Sequence, residues 1–419
     1  MTLRIALVAH QLPPRHLGGV EVYTWTLAQR LVALGHEVAI FCPTDDRRDA
    51  GEHLIDGITM VRPWRPNPRQ QPAPLAFWHN YRHRPTERAF GRFLHDWRPT
   101  VLHVQHLQWV SAQLIRQSVG LPTVLTLHDY WFICPNSQLV RPGGRICLNA
   151  SPTACAACLL AGHGLSPALV AIGAWASSPA VRWRNRYVKT SALRADLLLT
   201  PSQAARDLHL QAGFPAERLR VFCNGLDPRR FPAQPAKAAH RDHAVFGYLG
   251  GLSWQKGVHV LLEAFASLAP QHELRVYGPL DAFPDYADAL RRLAQRHPGI
   301  HLLGPVAPDD VGVALAELDY LVVPSLWPET FGMVAQEAHY MGVPVIASRI
   351  GALERIRDGV DGRLFEAGNV AELARVLEHV AANPGLRSRY ATQISPGPTI
   401  DDQALTLVDN YRQLLRQRL

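Results

Sequence analysis

The sequence of 419 residues lacks the long apolar runs that mark membrane-spanning and secreted proteins. No stretch of about 18 strongly apolar residues occurs, and a helix needs roughly that length to span a bilayer. The nearest candidate, residues 165–181, is interrupted by Pro167, Gly173 and Pro179. The apolar start at residues 4–10 is too short for a signal peptide and predicts a first strand. We therefore expect no spanning helix and a cytoplasmic location.

Cysteine is also scarce, and six cysteines in a chain of this length do not indicate a disulfide framework. Four of them fall close together, and one pair, Cys155-Ala-Ala-Cys158, has the spacing of a zinc knuckle. Cys134 and Cys147 lie upstream at irregular spacings. Two interpretations are open: these four side chains bind a structural zinc ion, or they are free or redox-labile thiols.

The composition that is present is that of an ordinary globular protein, with 47% hydrophobic and 19% charged residues. The length predicts two domains, with three as an alternative. The formal net charge of +8 favours anionic partners. Nucleotide phosphates, nucleic acids and membrane surfaces all fit that charge, which does not choose among them.

Strand, glycine turn and helix follow one another at the start of each half of the chain. Residues 3–9 predict a buried strand, and Gly18 and Gly19 then open a helix over 20–34. Glycines at a helix start let a ligand approach the backbone, although the dinucleotide fingerprint GxGxxG is absent. The second half begins with a strand that runs into Gly250 and Gly251, followed by Lys256 before the helix over 258–268. Lys256 is placed to meet a phosphate.

This alternation predicts an α/β fold with two Rossmann-like domains facing a central cleft. We place the N-terminal domain at 1–224, with a cysteine-containing insertion at 134–158. A linker rich in proline and charge follows at 225–243. The C-terminal domain takes 244–395, and an amphipathic helix closes the chain at 396–419.

Polar side chains follow two neighbouring strands of the first half. His106 ends the strand that starts at Val101, and His128 and Asp129 end the next. Ligands of open α/β sheets bind outside the carboxyl ends of the strands. We therefore expect His128 and Asp129 to have functional roles.

Two segments combine aromatic and basic residues. Residues 43–100 are irregular, proline-rich and basic. They predict either an exposed loop and a helix with buried aromatics, or aromatics and arginines that stack on bases, sugars or lipid headgroups. Residues 174–194 predict a basic, aromatic helix. That helix either lies on anionic lipid or is a surface helix with a buried aromatic stripe.

The stretch from 319 to 347 predicts strand, turn, helix and strand, with the helix starting near Thr330 and ending at Gly342. Glu329 and Glu337 are eight residues apart, a spacing that a helix would put on nearly the same face. Glu329 sits just ahead of the predicted helix and Glu337 well inside it. The amides at 331–333 would point out of the helix start, where anions bind. This arrangement suits a phosphorylated polyol such as a nucleotide sugar, although two solvated acids on an amphipathic helix would show the same pattern.

Together these motifs resemble the retaining glycosyltransferases of family 4, which have the GT-B fold. The resemblance spans nearly the whole chain and rests on the following motifs: Gly18-Gly19-Val-Glu21; Thr126-Leu-His128-Asp129; Pro201-Ser202; Asn224-Gly225-Leu-Asp227; Gly250 with Lys256-Gly257; Glu329 to Glu337 with Pro344-Val-Ile-Ala-Ser348; and Gly351 with Asp361-Gly362. The two glutamates with seven residues between them are the most specific of these signals.

The resemblance implies a donor site in the C-terminal domain. Lys256 would hold the donor diphosphate, Glu337 the ribose hydroxyls, and Glu329 would lie by the transferred sugar. The amides of Phe331, Gly332 and Met333 would lie near sugar and phosphate.

It also implies an acceptor side in the N-terminal domain. Gly19 would let the backbone approach the phosphate, and His128 with Asp129 would face the reacting sugar and the acceptor. The final helix would pack back on this domain.

One position departs from the family pattern. The family usually has an arginine where this chain has Gly251, so one cation of the diphosphate site is missing. Arg15, in the first glycine loop, is the candidate substitute.

The partners implied by the resemblance are a nucleotide-diphosphate sugar as donor and a glycan or lipid-linked molecule as acceptor. The resemblance implies no catalytic metal, and the lack of a DxD at a strand end fits this expectation. No nucleic acid partner is expected. The setting would be cell-envelope polysaccharide biosynthesis, with a peripheral contact to the anionic inner face of the membrane as an open alternative. Two other functions remain: a nucleotide-sugar epimerase of the same fold, and a non-catalytic sugar-nucleotide binder, for which Gly251 is the main reason.

Overall fold

The structure is a computed structural model that describes residues 2–15, 18–141, 144–148, 150–161, 165–231 and 242–418. It forms two compact units. Unit 1 consists of Met1–Gly225 and Thr399–Leu419, and unit 2 of Leu226–Pro398. Most of the predicted linker, residues 232–241, lies outside the described residues.

Unit 1 is built on a sheet of eight strands in the order β3-β4-β2-β1-β5-β6-β7-β8. The strands are β1 Arg4–Val8, β2 Glu37–Phe41, β3 Gly51–Ile55, β4 Ile58–Arg62, β5 Val101–Val104, β6 Thr123–Thr126, β7 Leu197–Thr200 and β8 Leu219–Val221. Neighbouring strands pair in parallel, except that β3 runs antiparallel to β4. The central strands are buried on both faces, as parallel sheets covered by helices require.

The helices of unit 1 before the connection to unit 2 are α1 Gly19–Ala33, α2 Ala73–His79, α3 Arg84–Trp97, α4 Gln113–Gln117, α5 Pro152–Leu160, α6 Pro167–Ala192 and α7 Gln203–Gln211. One apolar cluster packs α3 and α4 on the sheet. A second cluster packs α1 on the sheet. The predicted helix after the glycine pair therefore forms, one residue earlier than expected.

The segment predicted as irregular at 43–100 was read wrongly in its first part. It contains the hairpin of β3 and β4, closed by Asp56 (φ 51°) and Gly57 (φ 77°). Two consecutive residues with positive φ form the tight turn that matches the twist of paired strands. The Asp-Gly pair was the available signal for this hairpin.

Unit 2 contains a parallel sheet of six strands in the order β11-β10-β9-β12-β13-β14. The strands are β9 Val245–Leu249, β10 Glu273–Tyr277, β11 Ile300–Gly304, β12 Tyr320–Val323, β13 Val345–Ser348 and β14 Gly362–Phe365. The helices are α8 Val258–Phe265, α9 Pro284–Ala294, α10 Val311–Ala316, α11 Met333–Tyr340, α12 Val370–Ala381 and α13 Gly385–Ala391. Apolar clusters include residues of every strand of this sheet.

The last helix, α14 Ile400–Arg416, belongs to unit 1. A capping box between Thr399 and Asp402 starts it. Its apolar face joins the cluster of α1, and the Tyr411 hydroxyl lies 2.6 Å from Nδ1 of His103 on β5. Among the described residues, no helix has the length and apolar content needed to cross a membrane.

In both sheets the chain first adds strands on one side of the starting strand and later adds strands on its other side. The boundary between these two sets of strands is the topological switch point of the sheet. In unit 1 this point lies between β1 and β5, and in unit 2 it lies between β9 and β12. In open α/β sheets, ligands bind outside the carboxyl ends of the strands at such a point. Each unit therefore has one place where a ligand site is expected.

Candidate active site

The switch point of unit 2 holds a buried carboxylate that receives three hydrogen bonds on one oxygen. Glu329, only 5% exposed, lies in the loop after β12. Its Oε1 accepts from Lys256 Nζ at 2.7 Å, from Ser325 Oγ at 2.7 Å and from Trp327 Nε1 at 2.8 Å. Lys256 Nζ also lies 5.1 Å from the centre of the Trp327 ring. The predicted phosphate-binding lysine and the predicted sugar-side glutamate are thus direct partners.

Close backbone contacts bring these two residues together. Gly257 has a φ of 69°, and a Cβ there would overlap the carbonyl oxygen of Pro324. The amide of Leu326 donates to the carbonyl of Gln255 at 2.8 Å. The loop after β9 therefore lies directly against the loop after β12, and only glycine allows that approach.

A second glycine supports Glu329 from the other side. Gly351 has a φ of 58°, and a Cβ there would lie 2.7 Å from the backbone oxygen of Glu329. The same oxygen accepts from the amide of Ala352 at 2.8 Å. The backbone that carries the Glu329 carboxylate is therefore held in place by close packing of Gly351 and by the hydrogen bond from Ala352.

The helix that was predicted to start near Thr330 begins at Met333, and this changes the relation of the two glutamates. Gly332, with a φ of 73°, breaks the helical path just before α11. Glu329 lies ahead of the helix, as predicted, and α11 starts three residues later than expected, so helical spacing does not relate Glu329 to Glu337. The left-handed glycine, which permits a sharp turn into the helix, is the physical reason.

An arginine that sequence reasoning missed fixes this turn. Arg355 donates to the carbonyl of Phe331 and, at 3.1 Å, to that of Gly332. Its guanidinium also lies 4.8 Å from the centre of the Phe331 ring. Arg355 thus fixes the carbonyls of this turn. The amides at 331–333, which were predicted to bind an anion, lie at the N-terminus of α11. No motif marked Arg355, since its partners are backbone atoms.

Glu337 lies within α11, as predicted. Burial raises the pKa of its carboxyl above the ordinary value, and the charge of Arg230 opposes that shift. A hydrogen-bond donor, such as a hydroxyl group, would stabilise the charged form of a carboxyl group in such surroundings.

The glycine pair after β9 forms a turn with room beside it. Gly250, with a φ of 148°, donates its amide to Tyr277 at 3.0 Å. The Tyr248 hydroxyl donates to the carbonyl of Gly251 at 2.8 Å. A Cβ on Gly251 would meet no heavy atom of the described residues within 4 Å. The missing arginine therefore leaves open space.

The switch point of unit 1 holds two buried acid–histidine pairs. His106 Nε2 lies 2.9 Å from Asp129 Oδ2, and His10 Nε2 lies 3.2 Å from Glu21 Oε1. The rings of His10 and His106 are 4.2 Å apart. Burial works to lower the pKa of His106, but the charge and hydrogen bond of Asp129 outweigh it and raise the pKa. His10 is different, because burial and the neighbouring His106 lower its pKa.

His128 lies beside these pairs but is electrically neutral. Its Nε2 is 2.7 Å from Gln105 Oε1, and Tyr23 packs at 5.3 Å between ring centres. Burial, aided by the charge of His106, lowers the pKa of His128 to about 3. Because an amide oxygen only accepts, Nε2 carries the proton of the neutral ring. His10, Glu21 and Gln105 were not predicted as site residues, since their partners are distant in sequence.

Asp129 is held on both carboxylate oxygens. Oδ2 contacts His106, and Oδ1 accepts from the amide of Trp131 at 2.9 Å. Burial opposes ionisation, but His106 lowers the pKa of Asp129 below its ordinary value. This geometry makes Asp129 an anchor for His106, and its catalytic role stays a prediction.

The glycines of the first loop stand at the start of α1, with Gly18 as N-cap and Gly19 as first helical residue. Arg15 is bound by acids of its own unit: it contacts Asp46, and its guanidinium lies 3.7 Å from Asp45 and 3.4 Å from Asp49. Its guanidinium thus already has three carboxylate partners. The predicted contribution of Arg15 to a diphosphate site stays a prediction and gains no support from this placement.

The four clustered cysteines line one small cavity. Cys134 Sγ donates to Asn136 Oδ1 at 2.8 Å, and Asn136 Nδ2 donates to Cys158 Sγ at 3.3 Å. Burial raises the pKa of Cys155 to about 11. Within the described ranges, no three His, Cys, Asp or Glu side chains are arranged to hold a metal ion. Zinc binding by these cysteines stays a prediction.

Two doubly wound α/β units, each with polar groups at its switch point, define the class: the fold is that of the GT-B glycosyltransferases. The sequence profile described as Glycosyltransferase Family 4 matches residues 17–230, and that described as Glycosyl transferases group 1 matches residues 243–383. The chain belongs to glycosyltransferase family 4.

Known proteins share this fold over their whole length. The chain is 29% identical to the D-inositol 3-phosphate glycosyltransferase of Streptomyces coelicolor, covering 97% of this chain and 91% of the relative. Sucrose-phosphate synthase from Thermosynechococcus elongatus superposes with a TM-score of 0.73 at 20% identity, covering 99% and 100% of the two chains. HepE of Anabaena, in complex with UDP and glucose, superposes with a TM-score of 0.69 at 19% identity, covering 98% and 99%.

Proposed function

We propose that this protein is a retaining hexosyltransferase that moves a hexose from a nucleotide-diphosphate sugar to a hydroxyl of a glycan or lipid-linked acceptor, without a catalytic metal. The observation that carries the proposal is the Lys256–Glu329 pair at the switch point of unit 2. The structure of HepE with UDP and glucose supports a nucleotide sugar as donor.

The donor roles follow from the chemistry of unit 2. Lys256 neutralises the departing diphosphate, together with the amides at the start of α11. Glu337 binds the ribose hydroxyls. Glu329 orients Lys256 and lies by the transferred sugar. The open space at Gly251 lets the backbone approach the phosphates.

Retention has two routes, and the structure of the Glu329 carboxylate favours one of them. In a covalent route, Glu329 would attack the sugar. Its Oε1 already accepts three hydrogen bonds, one of them from Lys256, so we assign this carboxylate the role of orienting the lysine. We therefore propose the same-face route, in which the leaving phosphate takes the proton of the acceptor hydroxyl and Lys256 stabilises the charge.

We assign the acceptor side to unit 1. His128 faces the reacting sugar and the acceptor, and it does so in the neutral form because burial lowers its pKa to about 3. Asp129 holds His106 beside it.

The test is nucleotide release from a panel of UDP-, ADP- and GDP-hexoses, with and without acceptors, followed by NMR of the anomeric product. We expect one donor class to release nucleotide and the product to keep the donor's anomeric configuration. Lys256→Ala should lower the rate by at least about a hundredfold. The exposed Arg291→Ala in the same unit is the control. Binding without release from any donor would favour the non-catalytic binder, and an epimerised donor would favour the epimerase.

A further inference from the structure

The net charge of this protein is concentrated in one stretch of unit 1. Residues 130–195 contain seven lysines and arginines and no aspartate or glutamate, so they carry seven of the chain's eight net positive charges. The rest of the chain is nearly balanced. A segment of this size without a single acid favours a negatively charged partner.

The same stretch exposes large apolar side chains along one helix. Leu169 is 56% exposed, Ile172 66% and Trp175 76%, and all three lie in the first half of α6. Trp183, 43% exposed, follows two turns later. These side chains recur at intervals of three, three and eight residues, so they share one side of the helix.

The opposite side of α6 is used for packing. It buries Ala174 and Val181 against α5, and a Cβ at Gly173 would lie 3.0 Å from Leu160. The helix continues through Pro179, which lacks an amide hydrogen, and the Ser178 hydroxyl donates to the carbonyl of Trp175 at 2.9 Å instead. The exposed side is therefore part of an ordered helix.

Arginines and stacked aromatics extend this exposed side towards the C-terminal half of α6. Arg182 and Arg186 are exposed and one turn apart. Trp183 stacks on Trp78 of α2, with ring centres 5.4 Å apart, and Trp78 is itself 45% exposed. We define the outer face of α6 as Leu169, Ile172, Trp175, Arg182, Trp183 and Arg186.

We propose that the outer face of α6 docks this protein on an anionic lipid bilayer. Leucine, isoleucine and tryptophan enter the boundary between headgroups and acyl chains, where tryptophan is favoured. Arg182 and Arg186 meet the lipid phosphates, and the absence of acids in residues 130–195 removes the repulsion that an anionic surface would otherwise meet. The proposal is independent of the transfer chemistry, and it fits a lipid-linked acceptor.

The test is co-sedimentation of the full chain with vesicles of equal parts phosphatidylglycerol and phosphatidylethanolamine, compared with vesicles of phosphatidylcholine alone. We expect binding to the anionic vesicles, weakened by salt, and little to the zwitterionic ones. Ile172→Ser with Trp175→Ser should weaken binding at least about tenfold. The matched control is Phe283→Ser with Leu303→Ser in unit 2, two side chains that are 54% and 51% exposed.

A second variant separates charge from apolar burial. Arg182→Gln with Arg186→Gln should lower binding to anionic vesicles and flatten its salt dependence. Arg88→Gln with Arg92→Gln, exposed at the same spacing on α3, should change neither. Melting curves check that each variant folds. Vesicle binding that survives the Ile172/Trp175 change would overturn the proposal. A wild-type dimer, seen by light scattering and broken by that change without vesicle binding, would show instead that a second copy covers this face.

Discussion

Glu329→Gln is the substitution that tests the candidate site most directly. The glutamine keeps the size of the side chain, and its amide oxygen still accepts from Ser325 and Trp327. What it loses is the charge opposite Lys256. We therefore expect a protein that is less stable, inactive in transfer, and better at binding a nucleoside diphosphate.

The loss of stability follows from the Lys256–Glu329 contact. A hydrogen bond to a charged group contributes about 1.5–3 kcal/mol. The lysine side chain is 32% exposed and regains water when its partner is removed, so we expect the lower end, about 1.5 kcal/mol. In a domain of the size of unit 2, each kcal/mol corresponds to about 2–4 °C, so the Tm should fall by about 3–6 °C.

The change in affinity has the opposite sign. In the wild type, a diphosphate competes with Glu329 for Lys256, and the substitution removes that competitor. We expect UDP to bind at least about threefold more tightly. A damaged fold would weaken binding, so the two opposite signs distinguish loss of charge from misfolding.

The measurements are differential scanning calorimetry of the full chain and isothermal titration with UDP. The control is Asp288→Asn, which breaks an exposed ion pair with Arg291 in the same unit. Its cost should stay below about 1 kcal/mol. An unchanged Tm for Glu329→Gln, a fall as large in the control, or UDP binding that weakens would each refute the reasoning.

Three further predictions concern other parts of the molecule. Gly251→Arg places a cation in open space near Lys256 and should tighten UDP binding about tenfold by titration, a gain near 1.4 kcal/mol. The control is Gly385→Arg, at an equally open position, which should leave UDP binding unchanged. Weaker UDP binding by the Gly251→Arg variant would contradict the assignment. His128 has a folded pKa of about 3, below its unfolded value, so its contribution to stability is present above about pH 6.5 and is lost as pH falls, by up to about 1.4 kcal/mol per pH unit. The Tm of His128→Gln should therefore fall less steeply than wild type between pH 7 and 5, with exposed His95→Gln as control, and parallel curves would remove this explanation. If the clustered thiols bind zinc, metal analysis should find about one zinc per chain, lost in Cys155→Ser; metal-free protein with a Tm unaffected by chelation would exclude it.

Much of the fold could be predicted because strand and helix signals are local. Buried strands such as β1, with residues 5–8, are continuous apolar runs, and glycines follow two of them. The hairpin at Asp56 and Gly57 carried a local signal that was overlooked. The signal at the start of α11 was ambiguous. Gly332 could have been part of the helix or, as it is, a residue in the left-handed conformation just before it.

The sequence predicted which residues belong to the candidate site of unit 2, but it did not predict which of them contact one another. Lys256 and Glu329 were each found from their surroundings, but their hydrogen bond joins residues 73 apart in sequence. Only the sheet order puts their loops side by side. Arg355 and Gln105 escaped notice because each acts by positioning a neighbour, and side chains of that kind have no characteristic spacing.

The return of α14 to unit 1 sets an order on the folding of the newly made chain. Ile400, Leu407 and Tyr411 are fully buried in the cluster that also contains α1. The part of this apolar cluster that α14 covers is therefore exposed while all of unit 2 is being synthesised. Unit 2 lies within Leu226–Pro398 and is complete before that helix exists. The part of the protein that is made first thus finishes folding last, and until α14 is made the chain exposes apolar surface that is prone to aggregation.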